Sequence, residues 1–370
     1  MPDRRRSRRR VFRCAQAAGA LFFLAAAIGA ARETPASAQE IARYRGSDRQ
    51  EKIIEGAKLE GSVVFYSAMI VNQALRPLAD AFMKKHPFVK MTYWRSDTEE
   101  IIAKVSAEVR ANNLVVDVIE GTGVGELAIG TQLVQPYFTP MLEAYPKALH
   151  DPKELWTPTR LSYFGAAYNT KLVSAAEAPR SYEDLLAPKW KEKMAWRIGS
   201  ATGTPLFIAN LRLAWGENRS GAYFAKLAEQ KIINFGAGSA RTLVDRVIAG
   251  EFPIALNIFA HHPLISKAKG APVNTALLDP VPATSATMVL AKGARHPYAA
   301  MLLVDFILSQ EGQSILAKAQ YFPARPDILP LDLVAPAAPA KAGVAENFIT
   351  PEQLNQYTES SQNIWQERFR

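Results

Sequence analysis

Residues 62–66 read Ser62-Val63-Val64-Phe65-Tyr66, a compact apolar and β-branched run that predicts a buried β-strand. Apolar residues at i, i+3, i+4 and i+7 then predict a helix over residues 72–85. A second strand is predicted over residues 89–94, a second helix over residues 97–111 and a third strand over residues 114–119. Strands and helices that alternate in this way are typical of an open parallel sheet, so the sequence predicts an α/β fold.

The rest of the chain continues the pattern with different spacing. Predicted strands cover residues 165–168, 194–198, 252–257, 273–278 and 287–290, and predicted helices cover residues 204–215, 240–249 and 297–308. A Pro- and Ala-rich stretch over residues 331–344 predicts a linker or wrapping arm, and a weakly amphipathic helix ends at Arg370. Because about 330 residues exceed one typical hydrophobic core, we expect two domains.

The N-terminus has the three parts of a secretory signal peptide, which we assign to residues 1–38. Six arginines between Arg4 and Arg10 precede an uncharged run over residues 14–31, and Ala36-Ser37-Ala38 offers a small-x-small cleavage site. We therefore predict cleavage after Ala38, a mature chain beginning at Gln39, and export to the periplasm. A membrane anchor is the alternative for the apolar run, but this run is rich in alanine and glycine and the cleavage site follows it directly.

The export route is also indicated by the leader. Ser7-Arg8-Arg9-Arg10-Val11-Phe12-Arg13 resembles the twin-arginine export motif, an address read by a bacterial receptor. The alternative is an ordinary signal peptide that happens to be rich in arginine. The pattern favours the twin-arginine route.

Charge and cysteine content exclude several classes of function. The leader contributes a net charge of about +6 to the formal net charge of +9, so the mature chain has a net charge of about +3, which does not demand a nucleic-acid partner. Cys14 is the only cysteine and leaves with the leader. The mature chain is therefore expected to lack disulfides, thiolate catalysis and cysteine metal sites.

Enzyme motifs find no match in this sequence. There is no G-x-S-x-G elbow, no H-E-x-x-H pair, no cysteine nucleophile in the mature chain and no evident carboxylate dyad. We expect a binding protein that is not an enzyme and needs no cofactor.

Candidate binding residues follow from a general rule: in open α/β sheets, ligands lie beyond the carboxyl ends of the strands. Four places qualify, and their candidate residues are Tyr66 and Ser67; Thr122 and Gly123; Ser200, Thr202 and Gly203; and Ser239 and Arg241. Free N–H groups and hydroxyls at the start of the helix over residues 204–215 suit an anion, with plain helix capping as the alternative. Arg241 is a candidate to clamp a carboxylate or phosphate with two hydrogen bonds, and a solvated surface arginine is the alternative.

Tyr66 and the Gly121-Thr122-Gly123 segment each have a second interpretation besides ligand binding. Tyr66 is equally well interpreted as an aromatic at a domain interface. Gly121-Thr122-Gly123 superficially suggests a dinucleotide loop, but its glycines do not follow G-x-G-x-x-G and it follows the wrong strand. A tight turn that places backbone N–H groups and Thr122 in a cleft is the favoured interpretation.

A series of motifs in order resembles one known family. They are Ala57-Lys58-Leu59-Glu60-Gly61-Ser62-Val63-Val64-Phe65-Tyr66, Tyr168-Asn169-Thr170-Lys171-Leu172, Asp184-Leu185-Leu186-Ala187-Pro188-Lys189-Trp190, Ala249-Gly250-Glu251, and His296-Pro297 followed by Asp305-Phe306-Ile307-Leu308-Ser309-Gln310-Glu311-Gly312-Gln313. Behind a signal peptide, this order resembles the periplasmic solute-binding proteins of ABC importers, in the branch that includes ferric-iron-binding proteins. The likeness covers nearly all of the mature chain.

The resemblance implies a type 2 periplasmic binding protein with two α/β lobes that close over a ligand by a hinge motion. Lobe 1 would comprise residues 39–160 and 279–329, lobe 2 residues 161–278, and residues 330–370 would form a linker and a helix packed on a lobe. It also implies a monomer that captures a small solute and delivers it to an ABC permease in the inner membrane. Presentation of the ligand to a membrane sensor is the alternative.

Iron is the ligand that the resemblance raises first. Ferric members of the family bind through adjacent tyrosines after the strand that follows the Gly-Glu motif, whereas this chain has Asn257-Ile258-Phe259-Ala260-His261-His262 there. Since neighbours on a strand point to opposite faces, one of His261 and His262 is expected to face the cleft, and Tyr321 is a further candidate. We predict no metal site and a polar, anionic or metal-chelating solute; ferric binding without the tyrosine pair is the alternative.

Overall fold

The computed structural model describes residues 38–125, 133–198, 200–236 and 238–370. The predicted signal peptide, apart from Ala38, and the export motif lie outside these residues. Within the described ranges, no helix is long and apolar enough to cross a membrane.

The described residues form a sheet of 12 strands flanked by helices. The strands are β1 (Ser62–Ser67), β2 (Lys90–Arg95), β3 (Val118–Thr122), β4 (Val134–Gln135), β5 (Thr157–Asn169), β6 (Met194–Arg197), β7 (Ile233–Phe235), β8 (Ile254–Phe259), β9 (Val273–Ala276), β10 (Val281–Ala291), β11 (Phe322–Pro323) and β12 (Glu346–Phe348). The main path runs in the order β2-β1-β3-β10-β5-β8-β6-β7. Strand β1 is parallel to both β2 and β3, which confirms the predicted open parallel arrangement.

Helices cover both parts of this sheet. They are α1 (Ala38–Arg43), α2 (Arg49–Glu60), α3 (Arg76–Lys85), α4 (Thr98–Arg110), α5 (Thr204–Ala228), α6 (Ala240–Ala249), α7 (His261–Lys267), α8 (Pro297–Leu308), α9 (Gln310–Lys318), α10 (Pro339–Ala342) and α11 (Pro351–Arg368). Helices α6 and α8 have the predicted bounds. Helix α3 is preceded by a π-helical turn at Val71–Leu75, and its predicted inward face is buried as expected at Leu78 and Phe82.

Strand β3 begins later than the sequence predicts. The strand was expected over residues 114–119, but the ladder begins at Val118. Asp117, just before the strand, contacts Val64 twice: its backbone N–H donates to the Val64 carbonyl at 2.9 Å, and its fully buried carboxylate accepts the Val64 N–H at 2.8 Å in place of a strand carbonyl. The strand then continues to Thr122, which brings the Gly121-Thr122 turn into the sheet.

Two long strands connect the halves of the sheet. The first half of β5 pairs with β10 and β11, and its second half pairs with β8 and β9. Only residues 165–168 and 287–290 of β5 and β10 were predicted, because polar residues interrupt the apolar pattern. Those polar residues are buried and hydrogen-bonded: Thr159, for example, is 0% exposed and donates to the carbonyl of Ala286 at 3.0 Å.

The C-terminal segment is a packed arm. Val334 and Ala337 in the Pro- and Ala-rich stretch are fully buried, and β12 pairs with β10. Helix α11 begins with a capping box at Thr350 and packs against α5. Phe369 then stacks on Trp196 with ring centroids 4.8 Å apart, so the arm contacts both halves of the sheet.

Candidate functional site

A cleft lies where the carboxyl ends of several strands meet, and its cavity volume is ≈ 100 Å³. Polar side chains dominate its wall; they are Arg95, Asp97, Thr98, Glu99, Thr122, Arg160, Ser162, Arg197, Ser200, Thr202, Ser239, Arg241, His261, His262 and Tyr321. They come from the ends of β2, β3 and β6, from β5, from the starts of α4, α6 and α7, from the loop between β6 and α5, and from the position just before β11. Polar groups gathered in this way around a small cavity are typical of a ligand site.

Arg197 is the last residue of β6 and is only 8% exposed. Its Nη2 donates to Ser200 Oγ at 3.0 Å and to Thr202 Oγ1 at 2.7 Å, while its Nε makes no hydrogen bond. Burial lowers the pKa of Arg197, whereas the negative charges of Glu99 and Asp97 oppose that shift. Among the described residues, the guanidinium is therefore buried beside neutral hydroxyls and contacts no carboxylate.

Backbone packing holds the loop around Arg197 in place. A Cβ at Gly203 would lie 2.4 Å from the Arg197 carbonyl oxygen, so only glycine fits this close approach. Asn257 Nδ2 donates at 2.8 Å to the carbonyls of both Thr202 and Gly203. The loop thus presents the Ser200 and Thr202 hydroxyls to the guanidinium with little freedom to move.

Arg160 is a second buried arginine and, unlike Arg197, it contacts a carboxylate. Arg160 forms an ion pair with Glu120, whose side chain is fully buried and also accepts from Ser67 Oγ at 2.7 Å. The Arg160 guanidinium lies 4.8 Å from the centre of the Tyr321 ring. Tyr321 Oη accepts the backbone N–H of Ile70 at 3.2 Å. This cluster is internally satisfied and forms a structured wall of the cleft.

Two adjacent histidines lie in the cleft beside these arginines. Their ring centroids are 4.6 Å apart, and neither nitrogen of His261 nor Nδ1 of His262 makes a hydrogen bond. Burial, with His262 and Arg160 near by, lowers the pKa of His261 well below its usual value. Burial, with Arg241, Arg197 and Arg160 near by, lowers the pKa of His262 to about 3. Both rings are therefore neutral at ordinary pH.

The start of α6 adds a third arginine. Ser239 is its N-cap and accepts the N–H of Thr242 at 3.1 Å. Arg241 donates to Asp245 at 2.7 Å and to Ser266 at 2.8 Å, and about two-fifths of its side chain is exposed. Its charge is thus already shared with a carboxylate.

The opposite side of the cleft carries acidic residues at the start of α4. Asp97 accepts from Arg95 at 3.1 Å in a half-exposed ion pair. Glu99 is exposed in the first turn of the helix and forms no ion pair with any other described residue. Acidic side chains in the first turn stabilise the N-terminal end of helix α4, and they also place negative charge in the cleft.

The structure brings seven of the predicted binding residues together at the cleft: Thr122, Ser200, Thr202, Ser239, Arg241, His261 and Tyr321. Both His261 and His262 line it, although one histidine was expected, because they open a helix and do not continue a strand. Tyr66 and Ser67 lie behind the wall. The Tyr66 hydroxyl donates to the Glu108 carboxylate at 2.6 Å, and its ring packs edge-on against Trp94. The Ser67 hydroxyl donates to the Glu120 carboxylate.

The two predicted glycines lie beside the cleft and do not line it. Gly123 follows Thr122 with a φ of 98°, and Gly203 packs against the backbone of Arg197. Five charged wall residues were missed: Arg95, Asp97, Glu99, Arg160 and Arg197. The rule of strand carboxyl ends points to Arg197 at the end of β6, but Arg160 lies inside a strand whose polar half was not predicted.

The family of bacterial extracellular solute-binding proteins matches residues 113–353, well over half of the chain. The chain belongs to this family. Solute-binding proteins of this family bind ligands and are not enzymes, in agreement with the absence of catalytic motifs.

A protein of Salmonella typhi named as a 2-aminoethylphosphonate-binding periplasmic protein is 26% identical to this solute-binding protein over 196 residues, which are 50% of this chain. The match spans 56% of that relative's length. The chain thus spans a little over half the length of the curated relatives that match it first.

Solved structures show the fold of this solute-binding protein. The periplasmic binding protein AfuA of Actinobacillus pleuropneumoniae, with fructose-6-phosphate bound, has a TM-score of 0.67 at 23% identity and covers 84% of this chain and 98% of its own. Iron-bound HitA of Pseudomonas aeruginosa has a TM-score of 0.68 at 18% identity, covering 83% and 98%. The predicted type 2 periplasmic binding protein fold, with two α/β lobes and a cleft between them, is confirmed.

Proposed function

We propose that this solute-binding protein is the substrate-binding component of an ABC importer that captures a small organic anion, foremost a phosphonate or phosphate ester, in the periplasm. It would deliver this ligand to a membrane permease after the lobes close. The lobe boundaries of the sequence analysis, at residues 160/161 and 278/279, are part of this proposal. The observation that carries it is the surroundings of Arg197.

A buried charge without a counter-ion costs several kcal/mol unless a partner arrives. Arg197 is more than nine-tenths buried, and its protein hydrogen-bond partners are hydroxyls. A tetrahedral anion would accept from the guanidinium and from neighbouring hydroxyls, and such charge-assisted bonds are the strong ones. The protein fold tolerates this arginine because the ligand completes its surroundings.

The size and lining of the cleft limit the ligand. The cavity of ≈ 100 Å³ lies below the range of about 300–1,000 Å³ that is typical of drug-sized ligands, which favours a small solute. Thr122 Oγ1 and both nitrogens of His261 make no hydrogen bond although they are buried, so they add donors and acceptors for a polar solute. The Salmonella relative named for 2-aminoethylphosphonate supports a phosphonate in particular.

Ferric iron is the second candidate, since iron-bound HitA has the same fold. In the described ranges, no group of three or more His, Cys, Asp or Glu side chains is placed to hold a metal ion. Fe(III) prefers anionic oxygen donors, and the cleft offers mainly guanidinium groups, hydroxyls and neutral imidazoles. These observations favour the anion. Ligand presentation to a membrane sensor remains the alternative to import.

Thermal unfolding in the presence of a ligand panel tests the proposal. Methylphosphonate, 2-aminoethylphosphonate, glycerol phosphate and citrate are compared with Fe(III) supplied from a weak chelator. A phosphonate or phosphate ester is expected to raise Tm, and the shift should be lost in Arg197→Gln but kept in Arg246→Gln, a control arginine that is half-exposed on α6. Stabilisation by Fe(III) alone, or equal shifts in both variants, would contradict the proposal.

A further inference from the structure

Pairing the charges of the cleft leaves two without a partner. Arg95 pairs with Asp97, Arg160 with Glu120, and Arg241 with Asp245. Of the charged lining side chains in the described ranges, the guanidinium of Arg197 and the carboxylate of Glu99 remain without an ion pair. One positive and one negative group are therefore open to a ligand.

These two groups come from elements in different halves of the sheet and line the same cavity. Glu99 is in the first turn of α4, next to the half of the sheet that contains β1 and β2, whereas Arg197 ends β6 in the other half. Both residues line the same cavity, and among the described residues no hydrogen bond or ion pair joins them. A ligand between them would meet positive potential at one end and negative potential at the other.

An acidic residue in the first turn of a helix is by itself an ordinary helix-stabilising feature. The cleft adds independent observations that point to a ligand: Arg197 Nε, Thr122 Oγ1 and both nitrogens of His261 are buried and have no hydrogen-bond partner in the part of the chain that the structure describes. All three residues are more than nine-tenths buried. Glu99 therefore faces a site that is built for a polar ligand on its other wall.

We infer that the ligand is a zwitterion, whose anionic group binds Arg197 and whose ammonium group binds Glu99. This inference rests on the proposed function, because it assumes that the cleft binds a small anion. The ligand class is an aminoalkyl phosphonate or a short amino acid with separated charges. Closure of the lobes would remove water from Glu99 and strengthen its bond to the ammonium group.

Two matched ligand pairs test the ammonium subsite by titration calorimetry. 2-Aminoethylphosphonate is compared with propylphosphonate, and 4-aminobutyrate with pentanoate, since a methyl group replaces the ammonium group at equal heavy-atom count. In at least one pair the amine is expected to bind about tenfold or more tightly, the scale of a hydrogen bond between charged groups. Glu99→Gln should abolish this preference while the amine-free ligand keeps its affinity, and Glu55→Gln, an exposed control on α2, should change neither.

Each of the other possible results rejects the zwitterion, the Glu99 subsite or the anion proposal. Equal binding of amine and amine-free ligands by the wild type would reject the zwitterion and leave the anion proposal standing. An equal loss of affinity for both ligands in Glu99→Gln would assign Glu99 to lobe closure and reject the subsite. If no ligand of either pair binds, the anion proposal fails and the zwitterion fails with it.

Discussion

At the scale of single residues, the cleft contains two buried arginines with different surroundings. Arg160 is paired with Glu120, whereas Arg197 contacts hydroxyls. In the proposed function, the paired arginine stabilises the fold and the unpaired one binds the ligand, because only the second would gain a charged partner on binding. Arg241 is intermediate, since Asp245 already holds it, so we expect its loss to weaken ligand binding less than the loss of Arg197.

Removal of the Glu120 charge should destabilise the protein strongly. Glu120→Gln leaves the Arg160 guanidinium buried beside a neutral amide, and breaking a buried pair in this way costs about 3–5 kcal/mol. The control is Glu183→Gln, which breaks an exposed pair with Arg219 and should cost at most about 1 kcal/mol. Urea unfolding of both variants measures the difference, and equal free energies of unfolding would contradict the assigned roles.

The two cleft histidines should make the fold sensitive to acid. Burial holds the pKa of His261 well below its usual value and that of His262 at about 3, whereas in the unfolded chain both protonate near 6.5. The unfolded state then binds more protons below pH 6.5, so stability should fall as pH falls from about 6.5 towards 3. The slope is about 1.4 kcal/mol per pH unit for each histidine.

The double variant His261→Gln/His262→Gln isolates this effect from the carboxylates. Its free energy of unfolding should depend less on pH than that of the wild type between pH 6.5 and 4, while the two curves run parallel above pH 7. Parallel curves over the whole range would show that the histidines titrate alike in the folded and unfolded protein.

At the scale of elements, helix α5 is longer than the apolar pattern in the sequence predicts. The sequence predicts a helix over residues 204–215, but the structure extends to Ala228 through a break at Gly216, with φ 76° and ψ 167°. This backbone region is essentially restricted to glycine. The first part of α5 starts at the cleft, and the second part packs Tyr223 and Phe224 into the core of the same half of the sheet.

Gly216→Ala should therefore destabilise the protein by about 1–3 kcal/mol through backbone strain alone, since nothing lies within 4 Å of the added Cβ. Gly221→Ala is a matched control in the same helix, where the Cβ also has open space and φ is not positive. It should be neutral or stabilising by up to about 1 kcal/mol. Thermal unfolding compares the two, and equal effects would contradict the broken helix.

The sequence predicted the helices and strands that are stabilised by residues close in the chain. It missed the parts of strands that are stabilised by contacts with distant residues. The helix over residues 240–249 has an apolar face and an N-cap in its own sequence, and it was predicted to the residue. The polar half of β5 was missed because Thr159 and Arg160 are buried only through partners on β3 and β10. Tyr66 was predicted at the cleft because it ends a strand, yet its hydroxyl turns to Glu108.

At the scale of the whole molecule, the halves of the sheet are joined by β5 and β10 and by the C-terminal arm. The arm pairs with β10 through β12 and stacks Phe369 on Trp196. Motifs spread over the chain were sufficient to predict the fold. The arrangement of charges in the cleft was less predictable, because Glu99, Arg197 and His261 come to line one cavity only after folding.

Ligand binding should compact the molecule through a hinge motion. A ligand at a hundredfold excess over its Kd should also raise the free energy of unfolding by roughly 2.7 kcal/mol. Small-angle scattering should show a smaller radius of gyration with a bound phosphonate, and no change for Arg197→Gln at the same ligand concentration. Stabilisation by the ligand without compaction would reject the hinge.

The central claim is that Arg197 captures a small anion in the cleft, and titration calorimetry tests it most directly. Wild type and Arg197→Gln are titrated with 2-aminoethylphosphonate and methylphosphonate, and separately with Fe(III) from a weak chelator. We expect one phosphonate per wild-type protein and an affinity lower by about 10–150-fold in Arg197→Gln, the equivalent of 1.5–3 kcal/mol. Tight binding of Fe(III) alone, with a tyrosinate charge-transfer band and no heat from either phosphonate, would contradict the account.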